Sequence, residues 1–185
     1  MKPLQLLGPI ALLLLVACSV STSTTVTPVS VATTSTSKET RPVLGKAPQV
    51  DPTVWRNTPE AVSLESKPAV VEFWGTWCGP CKRAMPHLAS TYETYKDQGL
   101  AMVGVHVKKG LNLTDVDQFI EGYKVPYPVA CDGTGRIARD FGVGPIPRAF
   151  VINHEGDIIW EGNPLSNPNE FDDAVAHVVK RASSR

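Results

Sequence analysis

The segment Cys78-Gly79-Pro80-Cys81, set directly behind the apolar run Ala69-Val70-Val71-Glu72-Phe73-Trp74, constrains this chain more than any other feature. The run is rich in β-branched and aromatic residues and reads as a buried strand. Two cysteines with two residues between them fit the first turn of a helix, where a small disulfide can close. A strand that hands over to a helix through a Cys-X-X-Cys is the mark of an α/β redox site. The helix start explains why Cys78 is the reactive thiol. Its sulfur sits near backbone N–H groups with no helical partner and near the positive end of the helix dipole, and both favour a thiolate. Cys81, one turn deeper, is placed to resolve. A structural zinc site is disfavoured, because a closed site needs four ligands. There is no second Cys-X-X-Cys, and the histidines are scattered at positions 87, 106, 154 and 177.

The remaining elements alternate. A helix is expected over Pro80–Tyr95, kinked at Pro86, with Met85, Leu88, Tyr92 and Tyr95 on one face. Ala101–Val107 reads as a strand. A helix capped by Thr114 follows, with the stripe Val116, Phe119, Ile120 and Tyr123. Tyr127–Ala130 is a short strand and Arg136–Phe141 a short helix ended by Gly142. Strands Ala149–Asn153 and Asp157–Glu161 form a hairpin over His154-Glu155-Gly156. Asn167-Pro168 opens a last helix that buries Phe171, Val175, Val178 and Val179. Strands and helices in this order predict an α/β fold with a mixed sheet flanked by helices.

The pentapeptide Trp77-Cys78-Gly79-Pro80-Cys81 resembles that of thioredoxin at every position. Phe141-Gly142-Val143-Gly144-Pro145-Ile146-Pro147-Arg148-Ala149-Phe150 resembles the family's cis-proline segment, with Pro147 as the cis-proline. The spacing from Cys78 to Pro147 is 147 − 78 = 69 positions. That exceeds a minimal thioredoxin by one αβ unit, and the surplus falls at Lys108–Cys131. With Tyr127-Pro128-Val129 and Ile158-Ile159-Trp160-Glu161-Gly162, this pattern resembles the TlpA/ResA-like extracytoplasmic thioredoxins. The resemblance implies a thioredoxin-like fold with an αβ insert between the Cys-X-X-Cys helix and the cis-proline strand. It implies no cofactor and no metal. It carries catalytic roles to Cys78 and Cys81 as the redox-active disulfide, and to Glu72, in the place of thioredoxin's buried acid, as proton shuttle. Substrate contacts pass to Trp77, Gly79, Pro80, Ile146 and Pro147. Many such proteins have a glutamate three residues after the second cysteine. Here Ala84 stands there, so cytochrome-maturation activity does not carry over directly. Lys82 adds positive charge near the thiolate or is simply solvated, His106 ends a strand, and Cys131 reads as a small apolar core residue.

The N-terminus bears on location. Met1-Lys2 precedes an apolar stretch, Leu4–Val16, shorter than the ~20 residues that span a bilayer. It has the form of a secretory signal. Leu15-Val16-Ala17-Cys18 resembles the lipobox of bacterial lipoproteins, in which Cys18 would carry the lipid, and several acyl chains anchor firmly. The expected organisation is a signal peptide over 1–17, a Ser/Thr-rich disordered tether over 18–43 with a reach of roughly 25 Å, and a thioredoxin-like domain over 44–185. Formal net charge is zero over 185 residues, which argues against nucleic acid as a partner. The expected setting is therefore extracytoplasmic and lipid-anchored to a bacterial membrane. The expected substrates are envelope proteins with disulfides, and the expected reductant is a membrane electron donor of the CcdA/DsbD type. Two other readings stand beside it: a copper-binding chaperone built on Cys78, Cys81 and a histidine, and a peroxiredoxin-like peroxidase, which needs a peroxidatic cysteine in a loop motif not seen here. Metal analysis and peroxide turnover separate them.

Overall fold

The computed structural model describes residues 41–107 and 111–184. Seven strands and four α-helices follow one another as β1 (Gly45–Lys46), β2 (Val54–Arg56), β3 (Ala69–Trp74), α1 (Gly79–Tyr95), β4 (Ala101–His106), α2 (Leu113–Tyr123), β5 (Val129–Cys131), α3 (Arg136–Asp140), β6 (Arg148–Ile152), β7 (Asp157–Gly162) and α4 (Pro168–Ser183). The strands form one mixed sheet in the order β1-β7-β6-β3-β4-β5-β2. β3 is central. It pairs parallel with β4 and antiparallel with β6. All six of its residues are buried, as a strand covered on both faces requires.

Alternation along β3 sorts the core into two layers. Val70 and Trp74 pack with Cys81, Ala84, Met85 and Leu88 of α1, with Val116 and Phe119 of α2, and with Phe171, Val175 and Val178 of α4. Ala69, Val71 and Phe73 face the other way, against Ile137, Phe141 and Phe150. Glu72 lies between Val70 and Trp74 on the first of these faces. A carboxyl therefore sits in a layer of apolar side chains, which ordinary strand patterning would not place there.

Most of the expected elements are present, with shifts that have local causes. The cap of α2 is Asn112, whose side chain accepts the N–H of Thr114 at 3.1 Å, so Thr114 itself lies within the first turn. β5 starts at Val129 rather than Tyr127. Pro128 has no N–H for the ladder, although its carbonyl accepts from Gly104 N at 3.0 Å. Helix α1 continues through Pro86. The β6–β7 hairpin closes on Asn153, whose side-chain oxygen accepts the N–H groups of Glu155 and Asp157, while Gly156 takes a φ of 82°. The αβ insert is α2 with β5, and it extends the sheet beyond β4. Strands β1 and β2 have no counterpart among the expected elements. They pair antiparallel with β7 and β5 and flank the sheet at its two edges.

The expected signal segment, Cys18 and the tether up to residue 40 lie outside the described residues. Among the described residues, no helix is long and apolar enough to cross a membrane.

Candidate active site

The site forms where β3 ends and α1 begins. Gly75 and Thr76 turn the chain, and the N–H of Cys78 closes the turn on the Gly75 carbonyl at 2.9 Å. Cys78 is then the N-cap of α1, with Pro80 in the first turn, where a missing N–H costs nothing. The backbone N–H of Cys81 donates to Cys78 Sγ at 3.1 Å. This is the donor that a thiolate on Cys78 would use when the pair is reduced. Cys78 and Cys81 are joined in a disulfide with Cα atoms 5.2 Å apart. Cys78 is 7% exposed and Cys81 is wholly buried, so an incoming sulfur meets Cys78 first.

Ile146-Pro147 is a cis peptide bond, and Cys78 Sγ lies 3.9 Å from the Ile146 carbonyl oxygen. The loop before β6 is thereby held against the disulfide. Trp77 is 55% exposed beside it. Its ring lies over Gly75, where an added Cβ would stand 2.7 Å from the indole, so glycine there makes room for the tryptophan. Gly79 and Pro80 are exposed at the rim. His106 is buried at the end of β4, edge-on to both Trp74 and Trp77 at ring separations of 5.2 and 5.7 Å.

Glu72 is 1% exposed. Burial pushes its carboxyl up from an ordinary 4.5 to about 8, against a smaller opposing effect from a hydrogen bond with Tyr127. Tyr127 is wholly buried and its hydroxyl donates towards Glu72 Oε1 at 3.3 Å. The Tyr127 hydroxyl also donates towards Met85 Sδ at 3.3 Å. Met85 is four residues after Cys81, so it lies about one helical turn away on the same face of α1. The Tyr127 hydroxyl thus links the Glu72 carboxyl to the face of α1 that carries Cys81. Ala84, the departure from the family pattern, is buried apolar surface. Lys82 is half-buried at the site's rim.

The sequence reading missed the setting of the acid. Tyr127 is there only as part of a family match, and Gly104 and Met85 have no assigned role at the site. The available signal is Gly104, a glycine inside an apolar strand, which marks a close approach. Cys131 is free and buried at the end of β5, and burial pushes its thiol up to about 11, which disfavours a thiolate there. Among the described residues no group of three or more His, Cys, Asp or Glu is placed to hold a metal ion.

Fold, disulfide and facing cis-proline together define a thioredoxin-like protein with a Cys-X-X-Cys centre. The AhpC/TSA family model matches residues 46–161, and the chain belongs to that family. It is 36% identical over 110 residues to the thiol-disulfide oxidoreductase ResA of Oceanobacillus iheyensis, covering 60% of this chain and 56% of the relative. It is 37% identical over 100 residues to ResA of Bacillus subtilis, covering 54% and 55%. The chain therefore spans about half the length of the curated relatives it matches. A thioredoxin-like protein solved in solution in its oxidised form superposes with a TM-score of 0.64 at 21% identity, covering 74% of this chain and 96% of that one, and shows the same fold. These matches bear out the ResA-like resemblance and the thioredoxin-like fold.

Proposed function

We propose that this chain is a thiol–disulfide oxidoreductase that reduces disulfides of envelope proteins outside the cytoplasm. In this reading it is tethered by lipid on Cys18 through the segment 18–43, and its domain occupies 44–185. The observation that carries the reading is the N-capping Cys78 bonded to the buried Cys81 and facing the cis bond at Ile146-Pro147.

The cycle runs as follows. The Cys78 thiolate attacks one sulfur of a substrate disulfide, and the other substrate sulfur leaves as a thiolate that takes a proton from water. A Cys78–substrate mixed disulfide remains. Cys81 then attacks Cys78 Sγ and passes its proton to the Glu72 carboxylate. The second substrate sulfur leaves, takes a proton from water, and the Cys78–Cys81 disulfide closes. Two electrons have moved to the substrate. When a partner dithiol resets the disulfide, Cys81 leaves as a thiolate and takes back the proton held by Glu72. A carboxyl that titrates at about 8 is protonated in the disulfide form at neutral pH, as this return step requires. Trp77, Gly79, Pro80 and the backbone of Ile146 at Pro147 supply the surface that receives the substrate chain. The resetting partner is a membrane electron donor of the CcdA/DsbD type.

The Gly79-Pro80 pair matches thioredoxin, with a potential of about −270 mV, and not the oxidant DsbA at about −120 mV. Equilibration of the purified protein with glutathione should give a potential below roughly −200 mV. A value near that of DsbA would reverse the direction of the proposed reaction.

A further inference from the structure

The acid's surroundings are built from parts that neither cysteine contacts in any direct bond. The Glu72 carboxyl has its Oε1 within reach of the Tyr127 hydroxyl, and its Oε2 has no partner although it is buried. Tyr127 is itself fixed from three sides. Asn57 Nδ2 donates to the Tyr127 carbonyl at 2.9 Å and to the Val125 carbonyl at 2.8 Å, which locks the backbone before β5. The phenol ring packs edge-on against Tyr92 of α1 at 5.8 Å. Its hydroxyl ends between Glu72 Oε1 and Met85 Sδ, 3.3 Å from each. One hydroxyl proton serves two acceptors there. Opposite, Gly104 leaves the space that Oε1 occupies.

We infer that Tyr127 is a positioning residue for this site: its hydroxyl holds Glu72 by Oε1, so that proton exchange with Cys81 runs through Oε2. Met85 completes the device by competing for the same hydroxyl proton. The inference rests on the reading of Glu72 as the proton store. The donated bond favours the charged carboxylate and so opposes the effect of burial. The titratable groups around Glu72 are few. They are Tyr127 itself from the segment before β5 and His106 on β4, which lies edge-on to Trp74; Cys78 and Cys81 on α1 are joined as a disulfide and do not titrate in this form. β6 places Ala149 opposite it, and the residues of α2 and α4 in this layer are apolar.

The two partners of the hydroxyl predict shifts of opposite sign. The test is an infrared titration of the carboxyl band in the oxidised full-length protein, with Glu72→Gln identifying the band. Tyr127→Phe keeps the ring and removes the bond, so the midpoint should rise by about one pH unit. Met85→Leu is a volume-conserving change that frees the hydroxyl for Glu72 alone, so the midpoint should fall. The second readout is the rate of disulfide reduction by dithiothreitol, corrected for reagent thiolate, as a function of pH. Its fall with rising pH should follow the carboxyl midpoint in each variant and be absent in Glu72→Gln. A simple packing role for Tyr127 would not move the midpoints in opposite directions. If Glu72→Gln removes the fall but both variants keep the wild-type midpoint, the positioning role is overturned and Glu72 stands as the proton store. If the carboxyl midpoints move and the rate profile ignores them, Glu72 is not the proton store, and the exchange through Oε2 falls with it.

Discussion

Gly104 stands opposite Glu72 in the β3–β4 ladder, and the Cβ it lacks would lie 2.7 Å from Glu72 Oε1. The same point is 2.9 Å from Trp74 Nε1 and 3.2 Å from the Tyr127 ring. The glycine is what lets a carboxyl, an indole and a phenol share one layer of the core. Trp74 is held by stacking on Phe119 at 4.3 Å and has little freedom to withdraw.

Gly104→Ala should therefore destabilise the fold by about 1–3 kcal/mol, the usual range for an added carbon in a packed core. A glycine kept only for chain flexibility would give the opposite sign, because alanine restricts the unfolded chain more. Urea unfolding of the oxidised wild type and variant measures the difference. Unchanged or increased stability would show that the layer is looser than the distances indicate.

Glu72 also sets a pH dependence with a defined sign. Its carboxyl titrates at an ordinary 4.5 when unfolded and at about 8 when folded. Between these values the folded state keeps a proton that the unfolded chain has lost. Stability from this group is complete below pH 4.5 and declines by about 1.4 kcal/mol per pH unit, levelling off above 8. The whole loss is on the order of 5 kcal/mol. Asp132 and Asp157 are held below their ordinary 3.8 and act at lower pH, outside this window. Unfolding midpoints of the oxidised protein should fall from pH 5 to 8, and the fall should be much reduced in Glu72→Gln. Parallel profiles for the two proteins would mean that Glu72 ionises freely in the folded state.

The lipid anchor rests on Leu15-Val16-Ala17-Cys18. Cys18→Ala should abolish incorporation of labelled fatty acid and release the protein from membranes of the producing cell. Labelling and retention equal to wild type would remove the anchor from the account.

What was legible in the sequence follows from where the information lies. β3, α1 and the hairpin announce themselves by local periodicity and turn residues, and Cys78, Cys81 and Pro147 by motif. The cap of α2 was misplaced by two residues because Asn112 and Thr114 both carry capping side chains, and only the backbone course decides between them. β1 and β2 are two and three residues long, too short for any period. Their pairing with β7 and β5 depends on residues far along the chain. The carboxyl's setting is the same kind of problem. Glu72 is visible as an acid in a buried strand, but Tyr127 before β5 and Gly104 of β4 meet it from elsewhere in the chain, and Met85 of α1 shares the Tyr127 hydroxyl. Only the folded sheet puts a glycine opposite a glutamate and a tyrosine at its end.

In the proposed cycle Cys78 attacks and Cys81 resolves. The direct measurement is trapping in the producing cell, read by non-reducing electrophoresis and mass spectrometry of the captured partners. Cys81→Ser should accumulate mixed disulfides between Cys78 and envelope proteins, because resolution is lost and the outer sulfur keeps its substrate. Cys78→Ser should accumulate none, since Cys81 is buried beneath it. Adducts in Cys78→Ser and their absence in Cys81→Ser would contradict the account and exchange the roles of the two cysteines.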